Sequence, residues 1–282
     1  MKRFVPEDKI LYTGAEGKMN SEEEIDSTDE LKDGLTAFIG PIPNSKCRNP
    51  RWGLYFHYKA QREKPGFINK FINKKIGEEP VYLSDVKPGQ TEDILKNWLE
   101  NRGYFYNRVD YTVEEYQEQK EAKVFYKAFL PEVPYVLENY KVDNDSLRIY
   151  QQIQQTLGDA ILKSGEPFNL TQMKMERERI DRELKSQGYY NFSANFLIFE
   201  ADTNQYDRKK FDLFLKLKEE VPEEGIKPYV VTTINVYPNY VVGTDSLERD
   251  VRRYNNRNYI QNETFFEPDK LHHFRLFEEV DR

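Results

Sequence analysis

Residue types able to do acid–base, nucleophilic or metal chemistry are sparse in this chain and scattered along it. There are three histidines, His57, His272 and His273, and one cysteine, Cys47. A zinc site needs several donors converging on one point, and two adjacent histidines on a helix point to different sides of it. One cysteine allows neither an intramolecular disulfide framework nor a cysteine metal cluster. No Gly-x-Ser-x-Gly elbow presents a serine nucleophile. The acidic run Glu22-Glu23-Glu24 falls where a first helical turn is expected, and the helix dipole accounts for carboxylates there. With no convergent catalytic set, the sequence predicts a non-enzymatic chain that needs no cofactor and no metal.

The pattern that carries more is a repeat. Leu99-Glu100-Asn101-Arg102-Gly103-Tyr104-Phe105 leads into Arg108-Val109-Asp110-Tyr111-Thr112-Val113, and Leu184-Lys185-Ser186-Gln187-Gly188-Tyr189-Tyr190 leads into Asn195-Phe196-Leu197-Ile198-Phe199. Each reads as a helix, a glycine stop and a strand. Gly103 and Gly188 are expected to be helix C-caps in the left-handed region, where a Cβ is costly. Their aromatic followers are expected to plug the core between helix and sheet. A recurrence at the spacing of a small domain indicates a string of similar modules, which bind or position something more often than they catalyse.

Composition agrees. The 282 residues have room for two or three small cores, and their 14% aromatic content supplies large apolar side chains to thin sheets. The net charge of −7 disfavours nucleic acid, whose phosphates need an excess of Lys and Arg. No apolar run reaches the length of about 20 residues that crosses a bilayer as a helix. Met1-Lys2-Arg3 meets Phe4-Val5-Pro6 with no apolar signal region. The chain is therefore expected to be cytosolic, or to be a piece freed of its targeting sequence.

Three modules are expected, over 1–131, 132–221 and 222–282. The second is the easiest to read. A strand runs from Pro134-Tyr135-Val136 to about Val142. Asp145 caps a helix burying Leu147, Tyr150, Ile153 and Leu157, and Asn169 with Gln172 resembles a capping box for a helix burying Met173, Ile180 and Leu184. Two alternating strands close it, Asn195 to Glu200 and one with Phe211, Leu213, Leu215 and Leu217 on a face. The first module repeats this order. It opens with Ile10-Leu11-Tyr12-Thr13, then a helix capped by Ser21 and Glu24 and a second capped by Thr91, then a hairpin pairing Val109-Tyr111-Val113 with Val124-Tyr126-Ala128. An insertion at about 41–88 separates its helices. The third module begins at Pro228-Tyr229-Val230 with a strand over 232–237 and a helix over 267–279. No second helix or closing hairpin is expected for it.

The order strand, helix, helix, strand, strand, in tandem and with Gly-Tyr-aromatic after each second helix, resembles POTRA domains. Within these the chain is most similar to TamA-like proteins of the lipid-anchored TamL type. The residues carrying this are Lys9-Ile10-Leu11-Tyr12-Thr13-Gly14-Ala15, Pro43-Asn44, Trp52-Gly53-Leu54-Tyr55, Gly77-Glu78-Glu79-Pro80-Val81, and Gly165-Glu166-Pro167-Phe168 leading into Glu176-Arg177-Glu178-Arg179-Ile180. The fold implied is α+β: tandem modules, each a three-stranded mixed sheet with two helices on one face. The role implied is a periplasmic docking region of an outer-membrane β-barrel protein, acting in outer-membrane biogenesis with a TamB-like partner. Outer-membrane protein clients or lipids are further candidates for what it handles; a BamA-like insertase is the alternative in the same class, and a cytosolic α+β enzyme is the rival from another class. An upstream lipid anchor and a downstream barrel would lie outside 1–282, since Cys47 is too deep in the chain to be the anchor. In such domains the strand after Gly-Tyr-aromatic is a sheet edge, able to accept a strand from a partner. The partner-binding residues expected on that ground are Arg108, Val109, Asp110 and Tyr111, and Asn195, Phe196, Leu197, Ile198 and Phe199.

Overall fold

The computed structural model describes residues 2–22, 28–46, 51–62, 65–131, 133–143, 147–206, 209–238, 240, 250–261 and 267–271. The expected caps at Glu24 and Asp145, and Cys47, His272 and His273, lie outside these. The chain forms two compact units, Met1–Glu183 with Ser193–Val221, and Leu184–Phe192 with Pro222–Arg282.

The first unit holds two three-stranded sheets. Strand β1 (Leu11–Ser21) is followed by helices α1 (Thr28–Ala37), α2 (Trp52–Ala60), α3 (Phe67–Ile76) and α4 (Pro88–Glu100), then by β2 (Arg108–Tyr116) and β3 (Glu121–Leu130). The sheet order is β1-β3-β2, with β1 parallel and β2 antiparallel to β3. Val109, Tyr111 and Val113 pair with Ala128, Tyr126 and Val124, the register expected from their alternation. Helices α1 and α4 cover one face. Leu31, Leu35, Leu95, Trp98 and Leu99 form one core with Tyr12, Val109, Val124, Tyr126 and Leu130.

The second sheet repeats the plan with β4 (Val136–Val142), α5 (Arg148–Gln155), α6 (Leu170–Ser186), β5 (Leu197–Asp202) and β6 (Lys210–Leu217), in the order β4-β6-β5. Its core includes Leu137, Leu162, Met173, Phe211 and Leu213. Asn169 Oδ1 accepts the N–H groups of Thr171 and Gln172 at the start of α6, which satisfies two donors that no helical carbonyl reaches.

Several local expectations need correction. β1 runs to Ser21, so Ser21 is a strand residue and no helix cap. α4 starts at Pro88, three residues ahead of Thr91, because proline fits a first helical position whose N–H needs no partner. Leu147 is exposed and Ile149 is buried in its place, since Leu147 takes the cap position and the helix begins at Arg148, two residues later than expected. Asn195 and Phe196 belong to a 3-10 turn, Ala194–Phe196, that ends where β5 begins.

The second unit contains a third sheet, β7 (Ile234–Val236), β8 (Asp250–Tyr254) and β9 (Arg257–Gln261), in the order β7-β9-β8. β7 is parallel and β8 antiparallel to β9, the pattern of the other two sheets. A closing hairpin is therefore present, against expectation. Its turn is Asn255-Asn256, both at positive φ (46° and 57°), the backbone that two-residue hairpins require. The short helix α7 (Pro268–Leu271) follows. The chain is thus α+β, with tandem POTRA-like modules.

Candidate partner-docking edges

Strand order makes β2 and β5 sheet edges. Which of their backbone groups are free follows from the central strands. The Leu130 carbonyl accepts the Glu22 N–H on the β1 side at 3.1 Å, and backbone direction alternates along a strand. Residues 121, 123, 125, 127 and 129 of β3 therefore face β2. Opposite them in register are Arg108, Asp110, Thr112, Glu114 and Tyr116, which bond into the ladder. Val109, Tyr111, Val113 and Glu115 turn their N–H and C=O groups outward.

The backbone of β5 alternates in the same way. The Leu215 carbonyl accepts the Asp143 N–H at 3.0 Å on the β4 side, and the Lys218 N–H donates to the Phe196 carbonyl at 2.9 Å on the other. Ile198, Glu200 and Asp202 thus bond to β6 through their partners Lys216, Phe214 and Asp212. Leu197, Phe199 and Ala201 face outward. Arg177 Nη1 donates to the Leu197 carbonyl at 3.2 Å, which leaves Phe199 and Ala201 as the open part of the edge. Of the nine residues expected to bind a partner, Val109, Tyr111, Leu197 and Phe199 turn their backbone outward, while Arg108, Asp110 and Ile198 serve the ladder. Asn195 and Phe196 stand before the strand.

The opposite edges are partly closed. Tyr82 bridges Leu11 at the start of β1, and Pro167 bridges Val136 at the start of β4. Leu137 N–H donates to the Glu166 carbonyl and Gly165 N–H to the Leu137 carbonyl. The segment over 81–83 is held by Asn44, whose Oδ1 accepts the Val81 N–H and whose Nδ2 donates to the Glu79 carbonyl. Glu78 accepts from both the Ser45 N–H and the Ser45 hydroxyl, and these bonds draw its carboxyl below its ordinary pKa. Pro43-Asn44 and Gly77-Glu78-Glu79-Pro80-Val81 therefore form one latch across the insertion.

The glycine motifs do more than end helices. Gly103 has φ +89°, its N–H donates to the Glu100 carbonyl, and the Tyr104 N–H reaches back to Leu99. Gly188, at φ +96°, and Tyr189 make the same two bonds to Lys185 and Leu184, the Schellman arrangement. Tyr104 and Tyr189 are buried. The next aromatics are not core plugs: Phe105 and Tyr190 are exposed. Phe105 stacks edgewise on Tyr135 and Phe168. There the Gly103 carbonyl accepts the Tyr135 N–H at 3.1 Å and the Asn101 carbonyl accepts the Leu170 N–H at 3.0 Å. The first motif is thus a joint to the second module.

Two buried polar groups have no simple signature in the sequence. Glu176, fully buried, binds Arg179 at 2.7 Å, the Ile161 N–H at 2.8 Å and the Tyr140 hydroxyl at 3.3 Å. Burial, first of all, and the nearby Glu176 charge push the Tyr140 phenol far above its ordinary pKa. Asp212, on the sheet face away from the helices, accepts from Tyr206 (2.5 Å), Asn139 (2.8 Å) and Lys141 (2.9 Å). Burial alone would raise its pKa. The hydrogen bonds from Tyr206, Asn139 and Lys141, with the Lys141 charge, outweigh that and lower it to about 2. The one hint in the sequence is a carboxylate within an apolar alternation, between Phe211 and Leu213. His57 is half-buried on α2, with its Nε2 beside the Gln61 side chain. Among the described residues no group of three or more His, Cys, Asp or Glu is arranged to hold a metal. No helix there is long and apolar enough to cross a membrane.

No family model and no curated protein matches the chain. Solved structures do. POTRA domains 3–5 of BamA from Haemophilus influenzae share 11% identity at a TM-score of 0.41, over 91% of this chain and 97% of that one. BamA from Haemophilus ducreyi lacking POTRA domains 1–3 gives 12%, 0.40, 74% and 30%. POTRA domains 1–2 of Omp85 from Anabaena give 12%, 0.34, 76% and 98%. None of these identities reaches 25%, and no function passes through them.

Proposed function

We propose that this chain is a periplasmic docking region of an outer-membrane β-barrel protein of the TamA-like, lipid-anchored kind, and that it binds by adding a partner strand to β2 and to β5. The observation that carries this is the pair of equivalent edges, each with outward backbone groups, while the opposite edges begin under bridging segments. Main-chain bonding gives affinity with little demand on sequence, so a TamB-like periplasmic partner could be held there through an extended segment. Asp110 is paired with Arg108 and Glu200 with Lys216, so the acidic character of the edges rests on Glu114 and Glu115 of β2 and Asp202 of β5. Basic side chains on the incoming strand complement them.

The test is a photo-crosslinking residue placed at Tyr111 and, separately, at Ala201 of the full-length protein in its own cells. The reading expects both positions to capture one TamB-like partner. Capture of assembly lipoproteins instead would replace the TamA-like reading with a BamA-like one. Adducts from Trp52 and from neither edge would refute strand addition.

A further inference from the structure

The α2–α3 hairpin lies in the insertion and has no counterpart in the second sheet's module. In α3, Phe67, Ile68 and Phe71 are 83%, 70% and 56% exposed, and no residue of the helix is buried. Single exposed apolar residues are ordinary; three adjoining ones on one short helix mark a binding surface. The rings of Phe67 and Phe71 stack at 6.4 Å, so they form one strip. At about 100° per residue, Phe67, Phe71 and Ile68 occupy a single wedge. Lys70 and Lys74 border that wedge on one side and Lys75 enters it from the other. All three lysines are exposed. Helices α2 and α3 contain no Asp or Glu, although the whole chain carries a net charge of −7.

We propose that α3 is a membrane-surface anchor, whose aromatic strip enters the headgroup region of an anionic phospholipid bilayer while Lys70, Lys74 and Lys75 meet the lipid phosphates. The charge pattern selects this occupant. A cationic, convex helix face with aromatics at its centre matches a broad negative surface, into which phenyl rings insert and above which long lysine stems keep their ammonium groups wet. This surface is distinct from the edges of β2 and β5, and the inference does not depend on strand addition.

The experiment is flotation of the full chain with vesicles of phosphatidylcholine alone, or with a third of the lipid replaced by phosphatidylglycerol. The chain is expected to float with the anionic vesicles and not with the neutral ones. Phe67→Ser combined with Phe71→Ser should abolish flotation. Lys70→Glu with Lys74→Glu and Lys75→Glu should lower the partition at least about tenfold. Because these side chains are exposed, both variants should keep the parent's circular dichroism and melting midpoint. A parent chain that stays behind from anionic vesicles overturns the proposal. So does flotation that survives either set of substitutions, which would leave the strip to a protein partner.

Discussion

The carbonyl of Gly188 accepts the N–H of Tyr229 at 2.7 Å, as that of Gly103 accepts the N–H of Tyr135 at 3.1 Å. A glycine in Gly-Tyr-aromatic thus meets the tyrosine of the following Pro-Tyr-Val in both copies. At Gly188 an added Cβ would stand 2.7 Å from the Tyr229 carbonyl oxygen, in a backbone region that L-residues resist. Gly188→Val should therefore cost at least about 1 kcal/mol, read as a lower urea midpoint. Gly188→Ala should recover only part of that, since the Cβ itself makes the clash. A valine variant that unfolds like the parent would show that the bond to Tyr229 is not maintained in solution.

The alternation along β5 makes a prediction about folding alone. Ile198→Pro removes a donor that bonds to β6, whereas Ala201→Pro removes one that faces outward from an exposed position. The first should destabilise by about 1–3 kcal/mol, and the second should leave a cooperative transition near the parent's. Thr112→Pro and Tyr111→Pro should behave in the same contrasting way on β2. Equal damage from Ala201→Pro and Ile198→Pro would mean that β5 is paired on both sides.

On the docking reading, Ala201→Pro and Tyr111→Pro should each weaken partner capture, because proline cannot join the ladder an added strand would form. Tyr111→Ala should be milder at the same site. Full capture by a folded double-proline variant would move docking away from both edges.

The Glu176–Arg179 pair should be costly to break and cheap to replace. Glu176→Gln removes the carboxylate hydrogen-bonded to a guanidinium with little exposure and leaves it only the more distant charge of Glu183, at a cost of about 3 kcal/mol. Glu176→Leu with Arg179→Met removes both charges and should lose less than the single change. If the double variant is the less stable one, the pair's bonds to Ile161 and Tyr140 matter more than its charge.

Asp212 fixes a sign for acid stability. Its folded pKa, about 2, lies below the value of 3.8 for a free aspartate, so its ionised form favours the fold. That contribution is complete above about pH 4 and is lost as the pH falls through 2. Asp212→Asn should melt below the parent at neutral pH, and the gap should narrow between pH 4 and pH 2. A gap independent of pH would assign the effect to shape and not to charge.

Local rules account for much of this fold. The apolar spacing of Met173, Ile180 and Leu184, the cap at Asn169 and the alternation of Val109, Tyr111 and Val113 each depend on neighbours within a few residues. Repetition of that order specifies the α+β modules. The β8–β9 hairpin is harder to see because Asp250-Val251-Arg252-Arg253-Tyr254 has no clean apolar alternation, although its Asn255-Asn256 turn is legible.

Tertiary structure alone decided which groups of β2 and β5 face outward. That choice is made by β3 and β6, which turn alternate carbonyls to their other neighbours, and a sequence pattern at period two is silent on it. The same holds for the partners of Gly103, Glu176 and Asp212. Arg179 and Tyr206 are near Glu176 and Asp212 in sequence, but Tyr135, Tyr140, Ile161, Asn139 and Lys141 are brought to these groups from farther along the chain by the sheets.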